Sequence, residues 1–123
     1  MNAKQYGVVI ACGGLGTRLQ NITKEIPKPL YPINGISTLE RCIDQLSLLS
    51  FDNILVTIGF RSSIFENFIK KLNTKYNFNI DIFLEKQPLG ECGALWFLEE
   101  KLCDNFAFIN GDIIFSIDFK KLI

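Results

Sequence analysis

The sequence contains no histidine, and that absence removes a block of enzyme chemistry. Ser-His and Cys-His relays, and acid–base catalysis by imidazole, are excluded within this chain. Net charge is also missing: 13 Lys and Arg balance 13 Asp and Glu. No global field draws the chain to nucleic acid or to an anionic membrane, so any anion site is local. No apolar run approaches the roughly 18 residues of a membrane span. The opening Met1-Asn2-Ala3-Lys4-Gln5 has no apolar signal-peptide core. The expectation is a cytoplasmic protein with neither nucleic acid nor membrane as a partner. Cysteine is sparse, and Cys12, Cys42, Cys92 and Cys103 show no C-x-x-C spacing. Without histidine only an all-cysteine zinc site remains, so these residues read as ordinary buried thiols.

What is present is an alternation of strand and helix signals in a chain of 123 residues, 48% hydrophobic, enough for one compact domain over 1–123. Residues 6 to 11 (Y-G-V-V-I-A) read as a strand apolar on both faces, as in a covered parallel sheet. From Thr38 to Ser50, Leu39, Cys42, Ile43, Leu46 and Leu49 recur at steps of three and four, predicting an amphipathic helix with Thr38 as its cap. Asn53 to Ile58 reads as a second strand, and Ile64, Phe65, Phe68, Ile69 and Leu72 mark a helix opening at Ser62 or Ser63. Asn79 to Leu84 is a third strand, Gly90 to Leu102 a third helix and Asn105 to Ile109 a fourth strand. This order predicts an α/β fold: a three-layer α/β/α arrangement with a mostly parallel, Rossmann-like sheet and right-handed crossovers. Asp118 reads as the cap of a helix that Phe119 to Ile123 only begin. The pattern therefore predicts a fold truncated after its fourth strand, the N-terminal part of a longer domain. Its unpaired edge and uncovered apolar faces would favour self-association into a homo-oligomer.

Chemistry gathers at the strand ends. Cys12-Gly13-Gly14-Leu15-Gly16-Thr17-Arg18-Leu19 follows the first strand, at the carboxyl edge where open α/β sheets bind ligands. Clustered glycines there let backbone amides form an anion-binding concavity. Leu19 breaks a dinucleotide fingerprint, and Gly16-Thr17-Arg18 does not match a P-loop. In Pro27-Lys28-Pro29 each proline biases its predecessor away from helix, which predicts Lys28 on a stiff extended segment. Asn110-Gly111-Asp112 closes the fourth strand with a carboxylate placed to hold Mg²⁺ against phosphate oxygens. Glu85-Lys86-Gln87-Pro88-Leu89-Gly90 ends the third strand at the same edge. Each segment alone also has a plain structural reading: tight turn, solvated loop, helix cap, helix break.

Together, G-G-x-G-T-R-L, P-K-P-L, E-x-x-P-L-G and N-G-D resemble the sugar-1-phosphate nucleotidyltransferases, from about Tyr6 to Leu122. Thr23, Pro32, Gly35 and Leu39-Glu40 extend the likeness. The resemblance implies transfer of a nucleotidyl group from an NTP to a sugar 1-phosphate with release of pyrophosphate. It also implies that the Gly13 to Gly16 backbone, with Leu15 and Thr17, cradles the triphosphate and that Arg18 neutralises it. Lys28 would sit on the phosphates at the reacting centre, and Asp112 would hold Mg²⁺. A sugar 1-phosphate is already largely ionised near neutral pH, its second pKa being about 6, so the missing histidine is no obstacle.

Glu85 stands five residues before Gly90, where the family places a base-contacting side chain, and the resemblance implies that both bind the nucleotide. A carboxylate only accepts hydrogen bonds, which suits the neighbouring N–H donors of guanine and favours GTP. Similar E-x-x-P-L-G segments occur in the mannose- and heptose-1-phosphate guanylyltransferase branch, pointing to glycan or lipopolysaccharide precursor synthesis. Glu91 and Cys92 depart from the T-A/G pattern at that point. The family's sugar-binding residues and second metal-binding aspartate would follow Ile123. A non-catalytic nucleotide- or phosphosugar-binding module, or an inactive fragment of the enzyme, is the alternative.

Overall fold

A computed structural model describes residues 6–12, 28–48, 53–58, 62–85, 95 and 98–111 of the chain. Its main sheet has four strands, all parallel: β1 (Tyr6–Cys12), β4 (Asn53–Ile58), β5 (Asn79–Leu84) and β6 (Leu102–Asn110), in the spatial order β5-β4-β1-β6. A small antiparallel hairpin, β2 (Pro32–Ile33) and β3 (Ile36–Ser37), precedes α1 (Thr38–Leu46), and α2 (Ser62–Asn73) links β4 to β5.

The strand order explains which helix covers which face. From β1 through β4 to β5 the chain advances in one direction across the sheet; it then returns past β1 to lay down β6. Right-handed crossovers place connections on one face during the advance and on the other after the reversal. Accordingly, Leu39, Cys42, Ile43 and Leu46 of α1 and Phe65, Ile69 and Leu72 of α2 share one core with Val8, Ile10, Ile54, Val56, Ile58 and Ile80. On the opposite face Leu98 and Leu102, with half-buried Leu95, pack against Tyr6, Val9 and Leu55. Both faces of β1 and β4 are thus covered, which is why these strands read as continuous apolar runs.

Several elements follow their predicted spans, and four differ for identifiable reasons. The cap of α1 is Ser37, whose Oγ accepts from the Glu40 backbone N–H at 3.1 Å. Ser37 has the extended backbone a cap requires, with φ −68° and ψ 156°, whereas Thr38 is already helical. Lys28–Leu30 forms a 3-10 turn rather than an extended segment. Proline's fixed φ fits a 3-10 turn, and its missing N–H is no loss in a first turn. The third helical stretch does not reach Leu102: a 3-10 turn at Glu99–Lys101 leads directly into β6. Finally, β6 starts earlier than Asn105 because its register with β1 shifts. Tyr6 pairs with Leu102 but Val8 pairs with Ala107, so the residues between them bulge from the ladder.

One polar link ties α2 to the sheet, and a second ties α1 to the segment between α2 and β5. The Asn73 carboxamide, at the end of α2, both donates to the Ile80 carbonyl (3.1 Å) and accepts from the Ile80 N–H (2.8 Å), fixing the entry of β5. Lys75 bridges Glu40 (3.0 Å) and Asp44 (3.4 Å) on α1, and Asp44 also accepts from the Tyr76 hydroxyl.

Candidate active site

The carboxyl ends of β1 and β6 flank the reversal point in the strand order, the place where open α/β sheets leave a crevice for ligands. The two ends are pinned together. The Gly111 N–H donates to the Ala11 carbonyl at 3.0 Å, carrying the ladder one step past β6. No larger residue fits that position: a Cβ there would lie 2.4 Å from Cys12 Sγ and 3.1 Å from Ile10 Cγ2. Glycine is required by close approach, not by a left-handed backbone.

A third segment is tied to the same point. The Thr38 hydroxyl, at the buried start of α1, donates to the Gly111 carbonyl at 2.8 Å and stands 3.2 Å from the Pro29 carbonyl. The geometry is that of a three-centre hydrogen bond, stronger toward Gly111. Three backbone stretches therefore converge here: the end of β1, the 3-10 turn at Lys28–Leu30 and the end of β6.

These stretches lead into three of the segments singled out in the sequence. Cys12 immediately precedes Gly13, Pro29 follows Lys28 and Gly111 precedes Asp112. Gly13, Gly14, Leu15, Gly16, Thr17, Arg18, Gly90 and Asp112 themselves lie outside the described residues, as does the Lys28 side chain. Glu85 is described. It is half-buried just past β5, and its N–H donates to the Ile58 carbonyl at 2.7 Å, prolonging the pairing of β4 with β5. With strands spaced about 4.8 Å apart, two spacings put the end of β5 roughly 10 Å from the end of β1. Along this sheet edge Glu85 thus lies toward one side and the Gly111 junction toward the other.

Two contributors escaped the sequence reading. The hairpin joining Lys28–Leu30 to α1 turns at Asn34-Gly35, both with positive φ (54° and 84°), and Asn-Gly is a strong two-residue hairpin signal. That signal was available. Thr38 had none: a threonine at a helix start reads as a cap, and only the folded chain shows its hydroxyl engaged elsewhere.

Elsewhere the titratable groups serve the fold. Tyr6 donates to Asp81 at 2.7 Å. Its phenol is pushed up to about 12, first by burial and then by the Asp81 hydrogen bond and charge. Burial pushes the Cys42 thiol up to about 12. Cys12, Cys42 and Cys103 are not disulfide-bonded; Cys12 and Cys42 are buried, whereas Cys103 is only half-buried. Among the described residues no group of three or more Cys, Asp or Glu side chains is gathered as a metal cage, and no described helix is long and apolar enough to cross a membrane.

The nucleotidyl transferase family model matches residues 7–123. The chain belongs to the nucleotidyl transferase family. Among curated relatives it is 37% identical over 119 residues to the D-glycero-alpha-D-manno-heptose 1-phosphate guanylyltransferase of Campylobacter jejuni, covering 93% of this chain and 51% of that protein. It is 32% identical over 117 residues to the mannose-1-phosphate guanyltransferase of Yarrowia lipolytica, covering 93% of this chain and 32% of the relative. Among solved structures, HddC from Yersinia pseudotuberculosis complexed with GMP-PN superposes with a TM-score of 0.82 at 32% identity, over 96% of this chain and 52% of that one. This nucleotidyl transferase chain therefore spans about half the length of the heptose-1-phosphate relative and about a third of the mannose-1-phosphate one.

Proposed function

We propose that the protein transfers a guanylyl group from GTP to a sugar 1-phosphate, and that this chain supplies the nucleotide-holding part of the site. The observation that carries the reading is the junction of Ala11, Gly111, Thr38 and Pro29 at the strand-order reversal. It brings together the backbone leading into a glycine loop, the end of a Pro-Lys-Pro segment and the glycine of a Gly-Asp segment, the three parts a phosphate-transfer site requires.

In this reading the backbone of Gly13 to Gly16 and Thr17 receives the triphosphate, with Arg18 and Lys28 set against its charge. An oxygen of the sugar 1-phosphate attacks the α-phosphorus in line, a new P–O bond forms, and the bond to the bridging oxygen breaks so that pyrophosphate leaves. The nucleophile is already anionic, so no side chain has to remove a proton. Asp112 is the carboxylate that would hold Mg²⁺, which when bound neutralises charge on the phosphate chain. Glu85 accepts from the guanine N–H groups, and the support for guanine is that carboxylate together with the guanylyltransferase relatives. The product would be a nucleotide-activated sugar for glycan or lipopolysaccharide precursor synthesis in the cytoplasm.

The test uses the natural gene product that carries this chain. Pyrophosphate release is measured with GTP, CTP, UTP, dTTP and ATP against mannose and heptose 1-phosphates, alongside thermal unfolding with each nucleotide and Mg²⁺. Release with GTP only when a sugar 1-phosphate is present is the expected result. Nucleotide at a hundred times its Kd should stabilise the fold by about 2.7 kcal/mol. Stabilisation by nucleotide with no product from any acceptor would replace the enzyme with a binding module.

A further inference from the structure

We propose that Asn110 is a specificity-determining residue, whose carboxamide hydrogen-bonds a ribose hydroxyl of the nucleotide and so selects ribonucleotides over their deoxy counterparts. The inference rests on the functional reading above and deepens it. Of Asn110-Gly111-Asp112, the glycine and the aspartate have a part in that reading and the asparagine has none.

Successive side chains of a strand point to opposite faces, and the two cores fix which face is which at the end of β6. Ile109 packs with the core beneath α1 and α2, and Phe108 with the core on the other face. Asn110 therefore shares the face of Phe108, opposite α1 and α2. Ala11, between Ile10 and Cys12 of the first core, and Thr57, between Val56 and Ile58 of the same core, face that way too, and Phe83 packs into the second core. These four residues are register partners, Asn110 with Ala11, Ala11 with Thr57 and Thr57 with Phe83. They make one row across the sheet near its carboxyl edge. One row below on this face, Val9 and Leu55 are 0% and 3% exposed, and Thr57 is 1% exposed; Ala11, by contrast, is half-buried and Asn110 is exposed. The cover over this face thus stops short of the carboxyl edge and leaves a ledge, whose floor at β1 is only a methyl group. Glu85, one alternation beyond Phe83, continues the β4–β5 ladder and is half-buried at the same end. The ledge has a carboxylate at its β5 end and a carboxamide at its β6 end, three strand spacings or about 14 Å apart. A largely apolar floor with a few placed polar groups is how small-molecule sites fix orientation. A nucleoside with its base on Glu85 lies along this row with its ribose toward β1 and β6. The Asn110 carboxamide both donates and accepts, which matches a hydroxyl, and it makes no hydrogen bond to a described side chain.

The test uses the natural gene product and its Asn110→Ala and Asn110→Asp variants. Affinities for GTP, 2′-deoxyGTP and 3′-deoxyGTP are titrated calorimetrically with Mg²⁺, and the KM for the sugar 1-phosphate is taken from pyrophosphate release. Wild type should bind GTP about five- to tenfold more tightly than the analogue that lacks the contacted hydroxyl. Asn110→Ala should weaken GTP binding by about the same factor and bind GTP and that analogue alike, because the hydroxyl has lost its partner. Asn110→Asp keeps an acceptor and should retain part of the preference. If Asn110→Ala does not fold, Asn110→Leu, close in size and without a polar group, takes its place with the same expected result. Equal wild-type affinity for GTP and both deoxy analogues, or a preference that survives in the apolar variant, overturns the proposal and leaves the functional reading intact. A variant that binds GTP as wild type does and raises only the KM for the sugar 1-phosphate overturns it as well, by moving the carboxamide to the acceptor. A wild-type protein that binds no nucleotide overturns both.

Discussion

Gly111→Ala offers the sharpest check on the junction at the head of the sheet. Gly111 lies outside the positive-φ positions, which among the described residues are Asn34 and Gly35, so alanine meets no backbone strain there. Its only penalty is space. The new Cβ would stand 2.4 Å from Cys12 Sγ, a distance real atoms do not tolerate, with Ile10 Cγ2 at 3.1 Å and the Ala11 carbonyl oxygen at 3.4 Å. Cys12 is itself buried, so its sulfur has little room to swing clear. Overpacking of this kind costs about 1–3 kcal/mol, and the lower unfolded-state entropy of alanine returns about 0.4–1 kcal/mol. The net expectation is a loss of about 1.3 kcal/mol, read by urea unfolding of the natural gene product as a lower midpoint with an unchanged slope. Removing the obstructing atom should rescue it: Cys12→Ala in the Gly111→Ala background should recover at least half of the overpacking cost, a coupling of about 1 kcal/mol. If Gly111→Ala is neutral, or if its cost is the same with and without the Cys12 sulfur, the close approach of β6 to β1 is not what demands glycine, and the argument for a rigid junction fails.

Other outcomes follow from single contacts. Ser37→Ala should cost about 1 kcal/mol in unfolding free energy through loss of the α1 cap, whereas Ser37→Asp should cost less. Phe65→Ala, at a fully buried site on the inner face of α2, should cost about 3–5 kcal/mol and leave the protein marginal by the same assay. Tyr6 gives a pH dependence of defined sign. Its phenol is raised from 10.0 to about 12 in the folded chain by burial and by Asp81, so the folded state holds the proton more tightly. The resulting stability is fully present below pH 10 and is lost as pH rises toward 12. Unfolding midpoints from pH 9 to 12 should show this decline in wild type and a shallower one in Tyr6→Phe.

How much was legible in the sequence depended on whether the deciding force was local. Asn53 to Ile58 and Asn79 to Leu84 were read with the bounds the structure shows: the first is a covered parallel strand that writes its burial into a short apolar run, and the second, at the end of the strand order with only Ile80 buried, was still marked by Ile80, Ile82, Phe83 and Leu84. The start of α2 at Ser62 was legible for the same reason: its periodicity faces one core. Errors fell where a distant partner decides. Leu102 fits a helical period, yet it pairs with Tyr6 at the start of β1. Thr38 is a competent cap by type, but Ser37 already has the extended backbone at the end of β3. Pro29 suggests an extended segment by local preference, and the fold uses its carbonyl in a tight turn instead.

The functional reading has the same structure as these corrections. No single motif here decides a chemistry: a glycine loop, a lysine between prolines, a Gly-Asp pair and a glutamate each have an ordinary structural use. What changes their weight is the strand order β5-β4-β1-β6, which is not local. Had the chain continued in one direction, the end of β6 would lie beyond β5, three strand spacings or roughly 14 Å from the end of β1. No phosphate chain would then face both. The reversal makes β6 the immediate neighbour of β1, and the Gly111–Ala11 hydrogen bond closes the gap to one ladder step. Thr38 then draws the Pro29 turn to the same place. The elements that form the junction are chosen by burial of apolar faces, and the three backbone stretches meet as a consequence of where those faces force the chain to turn back.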